Sequence, residues 1–120
     1  MKILISEEVL NKLIFTDSEE KKKLEKSLSD MLKKNDKFYI SSINLKNICD
    51  KIPKEKLDKL LINIELLTEK ILPFNQEVLK LSFLLKSDGN PIPIESATAI
   101  IFGIDKILNG DLAYLSPVSK

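Results

Sequence analysis

The stretch Met1-Lys2-Ile3-Leu4-Ile5-Ser6-Glu7-Glu8-Val9-Leu10 decides how the rest of the chain reads. Ile3-Leu4-Ile5 is an unbroken apolar run, and a strand solvated on one face would alternate instead. The run predicts a strand covered on both faces, which is the pattern of a parallel sheet. Ser6-Glu7-Glu8 ends it at once. Val9, Leu10, Leu13 and Ile14 then recur at helical spacing, so the chain opens as strand followed by helix.

The same alternation continues outward. Asp17 or Ser18 caps a helix with Glu19 and Glu20 in its first turn, where carboxylates favour the helix dipole. Leu24, Leu28, Met31 and Leu32 form its stripe, and Asn35-Asp36 ends it. Phe38-Tyr39-Ile40 is a second strand. Ser41 or Ser42 caps a helix bearing Ile43, Leu45, Ile48, Cys49 and Ile52. Pro53 breaks that helix and suits the start of the next, whose stripe is Leu57, Leu60, Leu61, Ile64 and Leu67. Ile71-Leu72-Pro73 is a third strand, and Asn75 caps a helix with Val78, Leu79, Phe83 and Leu84. Asp88-Gly89-Asn90-Pro91 is the strongest turn signal. A short helix starts near Ile94 and stops at Gly103, Lys106-Ile107-Leu108 is a fourth strand, and a tail runs from Leu112 to Lys120. The expected fold is α/β: one three-layer domain over residues 1–120 with a mainly parallel sheet of four to five strands.

Composition narrows the chemistry. The 120 residues suit one modest core, and net charge is +1, so no general excess of positive charge drives nucleic-acid binding. The absence of His excludes a Ser-His-Asp triad and imidazole-ligated metals. One cysteine, Cys49, excludes intrachain disulfides and cysteine-ligated zinc or iron–sulfur clusters. All 19 basic residues are lysine, so no arginine clamps a phosphate. Apolar runs are too short for a leader or a membrane span, and the expected location is the cytoplasm. Abundant Lys, Glu and Ile suit a thermophile and equally an AT-rich genome.

In an open α/β sheet, ligands collect at the carboxyl ends of the strands. Those ends carry Ser6, Ser41, Phe74 and Asn109, a mostly neutral edge, with Glu7, Glu8, Glu95 and Asp111 nearby. Magnesium or manganese would need these carboxylates, because hard cations take charged oxygen ligands. Lys21-Lys22-Lys23 with Lys26, Lys33, Lys34 and Lys37 is the densest basic region. Interleaved Glu19, Glu20 and Glu25, and the lack of aromatic residues, make it a solvated helix face. Cys49 has no activating base beside it and reads as a small buried hydrophobe. Gly110 shapes a turn.

Several strings, in order, carry a family likeness. Residues 1–10 resemble the opening strand of the PIN domain, where Asp-Thr-Asn-Val-Leu is usual. Tyr39-Ile40-Ser41-Ser42-Ile43-Asn44-Leu45-Lys46-Asn47-Ile48 resembles the family's second strand and following helix. Ile71-Leu72-Pro73-Phe74 with Val78 and Leu79 resembles its third strand and helix. Gly103-Ile104-Asp105-Lys106-Ile107-Leu108-Asn109-Gly110-Asp111 resembles its closing strand and last acidic loop. PIN domains are the fold of many small metal-dependent ribonucleases and of the toxin in many toxin–antitoxin pairs. The resemblance implies a sheet with the first strand between the second and the fourth.

The departures fall on the family's acidic centre. Its first metal-binding Asp falls on Ser6, the Asn two places later on Glu8, and the Glu of the second helix on Asn47. The third acid falls near Glu95-Ser96, and Asp111 keeps an acidic position. Ser6, Asn47 and Ser96 are thus degenerate family positions, with Glu8, Glu95 and Asp111 as a residual acidic site. The first expectation is a PIN-like domain without nuclease activity and without a cofactor. It would act as a binding or structural subunit, either a homodimer or part of a protein or nucleic-acid complex. The alternative is a ribonuclease, of toxin–antitoxin type, whose Mg²⁺ or Mn²⁺ is held by Glu8, Glu95 and Asp111. The stripes over residues 17–34 and 53–69 offer partner surfaces wherever they extend past the core.

Overall fold

A computed structural model describes residues 1–15, 18–87, 90–91, 93–110 and 114–115. In chain order these form β1 (Lys2–Ile5), α1 (Glu7–Phe15), α2 (Ser18–Lys33), β2 (Lys37–Ser41), α3 (Ser42–Cys49) and α4 (Lys54–Leu67). Then follow β3 (Lys70–Leu72), α5 (Gln76–Leu84), β4 (Lys86–Ser87), β5 (Asn90–Pro91), α6 (Ile94–Ile101), β6 (Lys106–Leu108) and β7 (Tyr114–Leu115). Asp17, Asp88, Gly89, Asp111 and most of the tail lie outside the described residues.

The main sheet has the order β3-β2-β1-β6-β7. Its first four strands are parallel, and β1 lies between β2 and β6. This α/β arrangement is consistent with a three-layer PIN-like fold, since the fourth strand of the sequence reading is β6. Two short features were not expected. Tyr114–Leu115 pairs antiparallel with β6, and Lys86–Ser87 pairs with Asn90–Pro91 as a small separate hairpin around the strong turn signal.

Ile3, Leu4 and Ile5 are wholly buried, as an unbroken apolar run requires. Their side chains alternate between two cores. Ile3 and Ile5 join Phe38, Ile40 and Leu108 against Val9, Leu10, Leu24, Leu28, Leu45, Ile48 and Ile64, so α1 to α4 supply that layer. Leu4 joins Tyr39, Leu72 and Ile107 against Ala99 and Ile104 on the other face. There α6 presents Ala97, Thr98 and Ala99, all without exposure, small enough for a helix to lie close on the sheet. α5 packs on α6 from outside.

Local signals set the helix ends. The Val78 amide donates to Asn75 Oδ1 at 3.0 Å, the expected cap of α5. Pro53 stands just before α4. α6 ends in a Schellman turn: Ile104 N donates to Ala99 O at 2.8 Å, and Gly103 N to Ile100 O at 3.4 Å. Gly103 has φ of 66°, a left-handed conformation that L side chains adopt at a cost. A Cβ there meets nothing within 4 Å, so only the backbone resists substitution.

Gly103→Ala should therefore lower stability by about 1 kcal/mol. Urea unfolding checks this: the midpoint should fall while the slope stays constant.

Candidate functional site

The candidate site lies where β1, β2 and β6 deliver their carboxyl ends to the starts of α1 and α3 and to α6. Ser6 follows β1 and is almost fully buried. Its Oγ accepts from Val9 N at 3.4 Å, so it serves as a helix cap. Ser41 closes β2 with no exposure, and its Oγ has no hydrogen-bond partner among the described residues. Ser42 Oγ accepts from Phe74 N at 2.9 Å and ties β2 to the segment after β3.

Glu95, in the first turn of α6, is the residue on which these elements meet. Its Oε2 accepts from the Glu7 amide at 2.9 Å and from Asn44 Nδ2 at 2.8 Å. One carboxylate oxygen therefore joins the N-terminus of α1 to α3 across the sheet edge. The geometry suits a helix start, where free amides and the helix dipole attract an anion. Burial pushes the Glu95 carboxyl above its usual 4.5, and the Glu7 and Glu8 carboxylates push the same way. The Glu7 amide and the Asn44 side chain pull it back in part.

Asn47 is exposed on α3 and donates from Nδ2 to Glu7 Oε1 at 3.0 Å. Where the family resemblance implies an acid, this chain has an amide facing an acid from the next element. Glu8 is engaged elsewhere: its Oε2 accepts from Gly110 N at 3.3 Å. Lys12, one turn along α1, donates from Nζ to Gly110 O at 2.6 Å. The two side chains grip both sides of the residue 110 backbone and fix the loop after β6. A Cβ on Gly110 would come within 2.5 Å of Glu8 Oε2, so a larger residue there would push the Glu8 carboxylate aside. Ser96 lies beside Glu95 in α6 and is half-buried. Asp111 lies outside the described residues.

The structure thus brings Glu95 to the strand ends, with Glu7 and Glu8 close enough for their charge to act on it. No family model matches the chain, and no curated protein or solved structure matches it. The chemistry of the site therefore rests on the residues themselves. Among the described residues, no group of three Asp, Glu, Cys or His side chains is arranged to hold a metal ion. The donors explain why: N–H groups point at Glu95 Oε2, Glu7 Oε1 and Glu8 Oε2, and the Ser6 hydroxyl is buried as a cap. A divalent cation needs several oxygens turned to one point, and the described residues do not fit that need.

Glu7 and Asn44 were not singled out in the sequence as partners of Glu95. The available signal was Asn44 and Asn47, two amides three positions apart, hence on one helix face just after a strand.

The raised Glu95 carboxyl makes stability depend on pH. As pH rises through the usual carboxylate range, the unfolded chain releases this proton first. Between that range and the raised folded value the native state holds the extra proton, so stability falls with rising pH, by at most about 1.4 kcal/mol per unit. Above the window the cost is constant. Glu95→Gln should abolish that fall while keeping an oxygen for the Glu7 amide. Urea midpoints of both proteins from acidic to neutral pH test this.

Proposed function

We propose that this chain is a PIN-like domain in which a hydrogen-bonded joint replaces the acidic centre. It acts by binding, as a homo-oligomer or as a non-catalytic subunit of a protein or nucleic-acid complex. The observation that carries this reading is the shared Glu95 Oε2, held by the Glu7 amide and by Asn44. Here a carboxylate at the strand ends links two helices. Ser6 and Asn47 support the same reading, because each stands at a family acid position and each is used in a structural contact. The central place of β1 supports the likeness to the family.

A second reading keeps the nuclease. Glu7 and Glu8 both raise the Glu95 carboxyl, and a cation would relieve that crowding of negative charge. A metal-dependent ribonuclease would then use Mg²⁺ or Mn²⁺ at Glu8, Glu95 and Asp111. The lysine-rich face of α2 is the basic surface nearest to an RNA-binding one, although glutamates divide it. No helix of the described residues is long and apolar enough to cross a membrane.

Calorimetric titration with Mn²⁺, followed by incubation with structured and unstructured RNA, separates the two. The binding-subunit reading predicts no saturable heat up to millimolar metal and no cleavage, with Asp111→Ala indistinguishable from the parent. Saturable binding or cleavage that is lost in Asp111→Ala would establish the nuclease.

A further inference from the structure

α4 is held to the domain by one side. Ile64 is its one fully buried residue, while Leu60, Leu61 and Leu67 are partly covered. Its remaining surface divides into two faces of different charge.

The first face looks across to α2. Between the two helices, over α1, runs an open groove of 690 Å³. Its apolar lining includes Leu13, Ile14, Leu28, Leu32, Leu60 and Leu67. Its rim carries Lys21, Lys56 and Lys59 against a single acid, Glu25. The walls run from Lys21 to Leu32 on α2 and from Lys56 to Leu67 on α4. Each is three helical turns long, about 16 Å. Two walls of this length around an apolar trough make a seat for one amphipathic helix.

The second face is a separate strip of α4 that adjoins the groove at Lys59. At helical spacing, Glu55, Asp58, Ile62, Glu65 and Leu66 fall together there, and all are exposed. Ile62 is 57 % exposed and Leu66 is 80 % exposed. Two aliphatic side chains this open, flanked by three acids, form an acidic amphipathic ridge. It too spans three turns, from Glu55 to Leu66. Ridge and groove therefore agree in length, in apolar character and in opposite charge.

We propose that the occupant of the groove is α4 of a second copy of this chain, with its acidic ridge set between the lysines of the first. This rests on the reading of the protein as a binding subunit and names the partner as another copy. The ridge and the groove are different faces of the chain, so the contact is head-to-tail. Such a contact closes into a ring or runs on as an open chain. A two-fold pairing groove to groove would instead bring two lysine rims together, which like charge opposes.

Sedimentation velocity over a concentration series tests the proposal, using the full chain and variants at exposed positions only. The parent protein should show a weight-average mass that rises past twofold that of one chain at high concentration. Added salt should reduce that mass, because the rims attract through charge. Lys21→Glu with Lys56→Glu spoils the groove, and Asp58→Lys with Glu65→Lys spoils the ridge. Each double variant alone should be monomeric. Mixed, they should assemble again, since each supplies the half that the other lacks and the two reversed faces also carry opposite charge. Leu66→Asp should abolish assembly by itself, and circular dichroism checks that every variant is folded. A monomeric parent, a parent that stops at a two-fold dimer, or double variants that assemble as the parent does would each overturn the proposal. None of these outcomes bears on metal binding or RNA cleavage, so failure here is distinct from failure of the binding-subunit reading.

Discussion

Ile3, Leu4 and Ile5 are shielded from solvent on both faces of the sheet, and every other packing relation follows from that. Odd positions of β1 serve the core under α1 to α4, and Leu4 serves the core under α6. Burial of side chains this size contributes about 1.5–3 kcal/mol each, and a polar residue at any of them would lose that contribution. The central place of β1 also decides where a site can form. Its carboxyl end is flanked by β2 and β6, and α1 starts directly beyond it. Side chains from α1, α3 and α6 meet at that point because the strand order leaves them no other neighbour.

What fills that point is a set of reciprocal contacts. Glu95 of α6 binds the first amide of α1 and the Asn44 amide of α3. Asn47 of α3 binds Glu7 of α1, and Glu8 and Lys12 of α1 hold the loop after β6. Three helices and a loop are thus locked by polar groups that satisfy each other. Half-burial of Glu95 makes the lock sensitive to proton uptake, because the same carboxylate is both the acceptor and the group whose charge burial opposes.

The fold was legible where one local rule applied. The apolar run of β1, the Asn75 cap, the Pro53 break and the Gly103 terminus each act within a few residues, and each appears as the sequence implies. Elements resting on distant partners were harder to read. Tyr114 and Leu115 give no strand pattern by themselves, and β7 exists because β6 offers it an open edge. Ile94–Ile101 mixes Glu95, Ser96 and Thr98 with five apolar residues, and the polar Thr98 is among those buried, so its sequence does not say that Ala97, Thr98 and Ala99 face the sheet. In the site, Glu95 could be named from the family likeness. Its partners could not, since Glu7 and Asn44 are 88 and 51 positions away and nothing local marks either. α4 shows the opposite failure: a regular stripe predicts burial, and only Ile64 along it is fully covered.

The polar joint leaves the strand ends occupied by structural contacts, and exposed apolar residues lie on α4. The central claim is that Glu95 is a structural acceptor and not a metal ligand. Carbon-13 NMR titration of the Glu95 carboxyl, with and without millimolar Mg²⁺, tests this most directly. The account predicts a midpoint above that of an ordinary glutamate and unchanged by the metal. A midpoint that Mg²⁺ drives sharply downward would show a cation bound at this carboxylate and would contradict it.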